Sequence, residues 1–141
     1  MKKILLSCLL IISLTAVHAQ GAAGFNKFWA TFQPLLVSNN YTALQKHVQF
    51  PLKSRGVEDG MKILNVSKAG FAVAMTKFLA LDSYDNNNRA FPMINNYIKW
   101  VQVPKGNDAY VNARTARIGD LEFTYIGKAW LLTLLYDGRT D

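Results

Sequence analysis

"GDLEFTYIGKAWLLTLLY", Gly119–Tyr136, is the stretch that decides the fold. Leu121–Ile126 begins as an alternating strand, and Gly127-Lys128 reads as the hairpin turn that follows it. The closing run "AWLLTLLY", Ala129–Tyr136, is apolar at nearly every position. A strand with one face in water alternates, so this one is expected to be covered on both faces. Helices would cover one face, and a partner or another layer the other. Strict alternation puts Trp130, Leu132, Leu134 and Tyr136 on one face and Leu131, Thr133 and Leu135 on the other.

Upstream of this hairpin, Ala109–Ile118 and Tyr97–Val103 read as two further strands, with turns at Gly106-Asn107-Asp108 and Gly119-Asp120. The Asn- and Asp-rich "DSYDNNNRAFP", residues 82–92, reads as a mobile loop. Before it the pattern turns helical. Phe25, Phe28, Trp29, Phe32, Leu35 and Leu36 repeat at helical spacing over 23–38, and Pro34 is expected to kink or shorten that helix. Asn39-Asn40 stops it, and Asn40 can cap a short second helix over Tyr41–His47. The Phe50-Pro51 step ends that helix in extended geometry, which opens a strand over 48–53. Met61–Val66 reads as the next strand. Ser67 is a fitting N-cap for a helix over Lys68–Ala80, whose Phe71, Met75, Phe78 and Leu79 form one stripe. Helices first and hairpins last predict an α+β domain, with N-terminal helices packed on a curved antiparallel sheet.

The first nineteen residues read differently. Lys2 and Lys3 precede an almost unbroken apolar run, Ile4–Val17, which ends in Val17-His18-Ala19. This is the pattern of a secretory signal peptide, and the run is too short for a membrane span. Cys8 stands before most of the run, whereas a lipoprotein cysteine follows it. Residues 20–141 then form one domain, periplasmic or secreted, with no span left after cleavage. The chain carries 16 basic and 9 acidic residues, so losing Lys2 and Lys3 leaves 14 against 9, a net +5. Its single cysteine leaves with the signal. A disulfide scaffold, a thiol enzyme and a cysteine-ligated zinc site are thereby excluded.

The basic residues are scattered, with no run and no phosphate-binding motif, so nucleic acid is not an expected partner. No cofactor motif is present. His47, the one histidine after Ala19, lies among Lys46, Lys53 and Arg55, without an acid near it in sequence. Cationic neighbours disfavour its protonated form. A helix-end role is its ordinary reading, and a lone histidine makes no metal site. The acids lie mostly in turns, loops and the tail, and Glu122 alternates with Leu121 and Phe123. No acid–base pair and no catalytic residue is assigned.

Several segments together resemble a known family. "FNKFWATFQPLLVSNNYTALQKHVQFPL" has an aromatic first helix, a short second helix and a Phe-Pro step into the first strand. "SKAGFAVAMTKFL" follows as a third helix, and the Gly119–Tyr136 stretch as a closing hairpin with Trp130 just after its turn. In these features the chain is similar to the secreted NTF2-like, or cystatin-like cone, proteins common in Bacteroidota. The resemblance implies a pocket between the helices and a concave sheet. Members use it for isomerase or dehydratase chemistry, for holding a ligand, or for neither, so fold alone does not decide function.

For such a pocket the expected lining is Trp29, Tyr41, Tyr97, Trp100, Tyr110, Asn112, Arg114 and Tyr125. The helical stripe that holds Trp29 is also what ordinary core packing requires. Tyr110, Asn112 and Arg114 would share one strand face, where the arginine can take a carboxylate if it points inward and is a plain solvent-facing residue if not. The expected function is a non-enzymatic small-molecule or peptide binding module for an unidentified small apolar or anionic ligand. The alternatives are an isomerase- or dehydratase-type enzyme with an unrecognised acid–base pair, and a dimeric interaction or inhibitor protein. Relatives of this fold often pair through the outer sheet face, so a homodimer there is also expected.

Export with cleavage after Ala19 predicts that N-terminal sequencing of the secreted or periplasmic protein reads Gln-Gly-Ala-Ala. A retained Met1 would overturn the signal assignment.

Overall fold

A computed structural model describes residues 24–56 and 58–139, so the signal segment lies outside the described residues. The fold is α+β, with helices packed against a curved six-stranded sheet. No helix among the described residues is long and apolar enough to cross a membrane.

Helix α1 spans residues 24–37 and runs through Pro34 without interruption. Its stripe explains why. Phe25, Trp29, Phe32 and Leu36 are fully buried, and four α1 rings (Phe25, Phe28, Trp29 and Phe32) surround Phe123 at centroid distances of 5.1–6.1 Å. Such burial offsets the roughly 3 kcal/mol that a mid-helix proline costs. The helix stops where Asn39 adopts a left-handed φ of 57°. Asn39 N–H then donates to Leu36 O and Asn40 N–H to Leu35 O, a Schellman ending. Asn40 Oδ1 also accepts from Ala43 N–H, capping α2, Tyr41–Leu44, which tightens into a 3₁₀ turn over Gln45–His47.

The remaining elements are β1 (Val48–Arg55), β2 (Leu64–Val66), α3 (Phe71–Leu79), β3 (Asp82–Tyr84), β4 (Ala90–Pro92), α4 (Ile94–Lys99), β5 (Ala109–Val111), β6 (Thr115–Ile118), β7 (Leu121–Ile126) and β8 (Ala129–Tyr136). The main sheet has the order β2-β1-β8-β7-β6-β5. It is mixed, not wholly antiparallel as expected, because β8 inserts between β1 and β7 and runs parallel to β1.

Four further sequence expectations need correction. Residues 97–103 are not a strand, for α4 reaches Lys99. Tyr97 is buried there, and α1 supplies its helix-end partners: Gln33 Nε2 donates to Tyr97 O at 2.8 Å and Trp29 Nε1 to Trp100 O at 2.8 Å. Those carbonyls would otherwise be orphans of a short helix. Residues 82–92 are not a plain loop but the β3–β4 hairpin. Its turn is held by Asp85 Oδ1, which accepts from Asn87 N–H and Arg89 N–H, and by an Asp85–Arg89 ion pair. Residues 109–118 are two strands, because Asn112 Oδ1 accepts from Arg114 N–H and Thr115 N–H and folds the chain back on itself. Asn112 and Arg114 therefore sit in a turn and share no strand face with Tyr110.

The fourth correction concerns β8. Glu122 pairs with Leu134 and Phe123 with Leu132, so Thr133 is an extra residue, a β-bulge. Thr133 Oγ1 is anchored by Thr124 Oγ1 at 2.9 Å and Glu122 O at 3.3 Å. Beyond it the faces exchange. Trp130, Leu132 and Leu135 are buried, while Leu131, Leu134 and Tyr136 are only half-buried on the outer face. That face has no second layer among the described residues. Arg117 instead covers the Tyr136 ring at 4.4 Å, and Lys53 and Glu122 flank Leu134 in register.

This exchange predicts opposite outcomes for two substitutions. Leu135→Lys leaves an uncompensated buried charge and should lower unfolding free energy by roughly 3–5 kcal/mol, read by urea denaturation. Leu131→Lys should stay folded. If the outer face pairs two copies, Leu131→Lys also sediments more slowly than the wild type at micromolar concentration.

Candidate ligand-binding site

A concavity on the helix side of the sheet has a volume of about 720 Å³, within the usual range for small-molecule sites. Its floor is Ser54, Leu64, Val66 and Leu135, from the ends of β1, β2 and β8. Its roof is the α3 face carrying Val73, Ala74, Lys77 and Phe78. Leu81, Asp137 and Arg139 close one end. The register explains the floor: Ser54 pairs with both Leu64 and Leu135, so all three project to the same side as buried Leu52. The helix stripe stops short of the β2 edge, so Leu64 remains 40% and Val73 60% exposed.

The closed end is polar and internally satisfied. Ser54, 4% exposed, donates from Oγ to Asp137 Oδ2. Arg139 donates from Nε to the same oxygen at 2.7 Å, and its backbone N–H donates to Oδ1 at 3.2 Å. Burial alone would raise the Asp137 pKa. The Ser54 and Arg139 hydrogen bonds and the guanidinium charge outweigh it and hold the carboxyl below its ordinary value. An ionised, fully engaged carboxylate is a poor proton acceptor, so the cluster ties the tail to β1. Gly56 permits the crossing, because a Cβ there would stand 2.6 Å from Arg139 O.

None of the eight residues expected from sequence lines this cleft. Trp29, Tyr97 and Trp100 do come together, with Tyr97–Trp100 centroids 5.3 Å apart, but as packed core. Tyr97 Oη receives Asp120 N–H at 3.3 Å, and burial raises the phenol far above its ordinary pKa, so it stays protonated. Tyr41 lies at the α2–α3 boundary, its hydroxyl bonded to Asn39 Oδ1 and its ring against Phe71. Tyr125 packs on Trp130 near the hairpin turn and is 41% exposed. Tyr110, 47% exposed, borders two smaller depressions beside the Gly106–Asp108 turn, away from α3. Asn112 and Arg114 occupy the turn already described.

Two titratable groups outside the cleft have structural partners. Burial raises the Asp120 pKa, and Arg117 at 3.3 Å partly offsets it. His47 sits edge-on to Phe28 at 5.8 Å. Among the described residues no group of three His, Cys, Asp or Glu could hold a metal ion. The cleft residues were not visible as a motif. The one sequence signal is Val73, an apolar residue off the buried α3 stripe.

Comparison with known proteins adds no kinship. The chain matches no family model, no curated protein and no solved structure.

His47 generates a pH prediction. Partial burial, and then the Lys46 charge, lower its pKa from the ordinary 6.5. The fold therefore favours the neutral ring, and that contribution is intact above 6.5 and is lost as pH falls through the lower folded-state value. Thermal unfolding should show a larger drop from pH 8 to pH 5 in the wild type than in His47→Gln. Equal drops would remove this role.

Proposed function

We propose that this chain is an exported, NTF2-like binding module that holds a small ligand in the cleft between α3 and the β1–β2–β8 end of the sheet, without chemistry on it. The carrying observation is the cleft itself: an apolar trough on the concave side, open along one edge and closed at one end by a self-satisfied polar cluster. Apolar lining with a few placed polar groups is the common make-up of ligand sites. The helix-on-curved-sheet architecture is the one the NTF2-like resemblance implies. An acid–base enzyme reading has less support, since neither His47 nor Asp120 lines the cleft and Asp137 is engaged on both oxygens.

The neutral probe N-phenyl-1-naphthylamine tests this reading. Its fluorescence should rise on binding the mature protein. Ala74→Phe, which fills the roof of the cleft, should weaken that binding by about tenfold or more, since lost apolar burial of 1.4 kcal/mol is a factor of ten. Its melting temperature should stay near that of the wild type. No enhancement with the wild type, or unchanged affinity in a folded Ala74→Phe, would overturn the proposal.

A further inference from the structure

Three charged side chains line the cleft: Lys77, Asp137 and Arg139. Two of them cancel. Arg139 Nε is 2.7 Å from Asp137 Oδ2, and the second carboxylate oxygen takes the Arg139 backbone N–H. The Arg139 Nη2 is turned toward the carbonyls of Ser54 and Lys62, each at 3.5 Å. Lys77 is left over. It is exposed and makes no ion pair or side-chain hydrogen bond among the described residues. Lys77 lies four residues beyond Val73, one helical turn along the same α3 face. One uncompensated positive charge thus stands beside an apolar trough.

That arrangement selects by charge. A cationic amphiphile would meet Lys77 and find the only acid already occupied. A dianionic head would bring one charge more than the lining can balance. A single negative charge on an apolar chain matches both the trough and the surplus cation. The ammonium carries three donors and no acceptor, so it suits a carboxylate, and it stays at the water boundary while its stem lies along the wall.

We infer that the cleft takes a free amphipathic monocarboxylate, with its chain along Leu64, Val66, Val73 and Leu135 and its carboxylate at Lys77. This rests on the cleft being the binding site, and it adds the ligand's charge and orientation.

Displacement of bound N-phenyl-1-naphthylamine by dodecanoate and by dodecyltrimethylammonium, both below their micellar concentrations, tests it. The two probes share a chain and differ in the sign of the head. Dodecanoate should displace the probe at a concentration lower by about fivefold or more, the modest selectivity of a partly solvated charge contact. Lys77→Gln should erase that preference and Lys77→Glu reverse it. Each variant's own ratio of dodecanoate to dodecyltrimethylammonium displacement is the readout, so a change in neutral-probe affinity on altering this lining residue does not enter the comparison. Equal displacement by the two amphiphiles, or a preference that survives in Lys77→Gln, would overturn the inference while leaving the cleft intact. Loss of neutral-probe binding in the wild type would instead remove the binding reading beneath it. Sedimentation with phosphatidylglycerol vesicles, without displacement by dodecanoate, would also overturn it, by assigning Lys77 to a membrane surface.

Discussion

One extra residue, Thr133, sets the geometry of the concave side. Without it, strict alternation would carry Leu134 and Tyr136 inward after Leu132. With it, Leu135 turns in, pairs with Ser54 and Leu121, and becomes the floor of the cleft. The bulge is held by a hydroxyl that the neighbouring strand supplies, Thr124, and by the Glu122 carbonyl. A second irregularity lies on the other side of β8. Between the pairs Val48–Leu132 and Lys53–Leu134, β1 spends five steps where β8 spends two. That excess includes Pro51, which has no N–H to give a ladder. One bulge in the central strand and a second irregularity in its neighbour β1 together bend the sheet.

The bend would be unstable without something to fill it, and α1 does so. Its aromatic stripe clasps Phe123, while Trp29 and Gln33, one turn apart, reach the carbonyls that end α4. The same face thus supplies apolar burial and polar satisfaction. This packing occupies the middle of the concavity with side chains. The free volume is displaced to the β2 edge, where α3 covers the sheet only in part. The cleft is what remains after the core has been packed, and its lining comes from residues outside the most prominent hydrophobic patterns.

The tail completes it. Asp137 N–H donates to Arg55 O, continuing the parallel pairing of β8 with β1, and the Ser54–Asp137–Arg139 cluster pins the chain at that end. Because these three groups satisfy one another, the charge balance of the cleft depends on Lys77.

Helical periodicity was enough to place α1 and α3, because their stripes follow a spacing that any helix must obey, and Asn39-Asn40 was enough to end one helix and cap the next. The closing hairpin was equally plain from Gly127-Lys128, whose two positive φ angles suit its turn. The faces of β8 were not legible, because alternation assumes an unbroken register and a bulge depends on the partner strand. Nor was α4, which is short and completed by side chains arriving from α1. The eight expected site residues carry the chemistry of a binding pocket, but large aromatic side chains are also what a core demands, and Trp29, Tyr97 and Trp100 pack there. The sequence alone determined the α+β class, the helix stripes and the turns, since those rest on local spacing. Only the tertiary structure decided the mixed sheet, the inward turn of Leu135 and the meeting of Ser54, Lys77 and Arg139, since each depends on contacts between residues far apart in the chain.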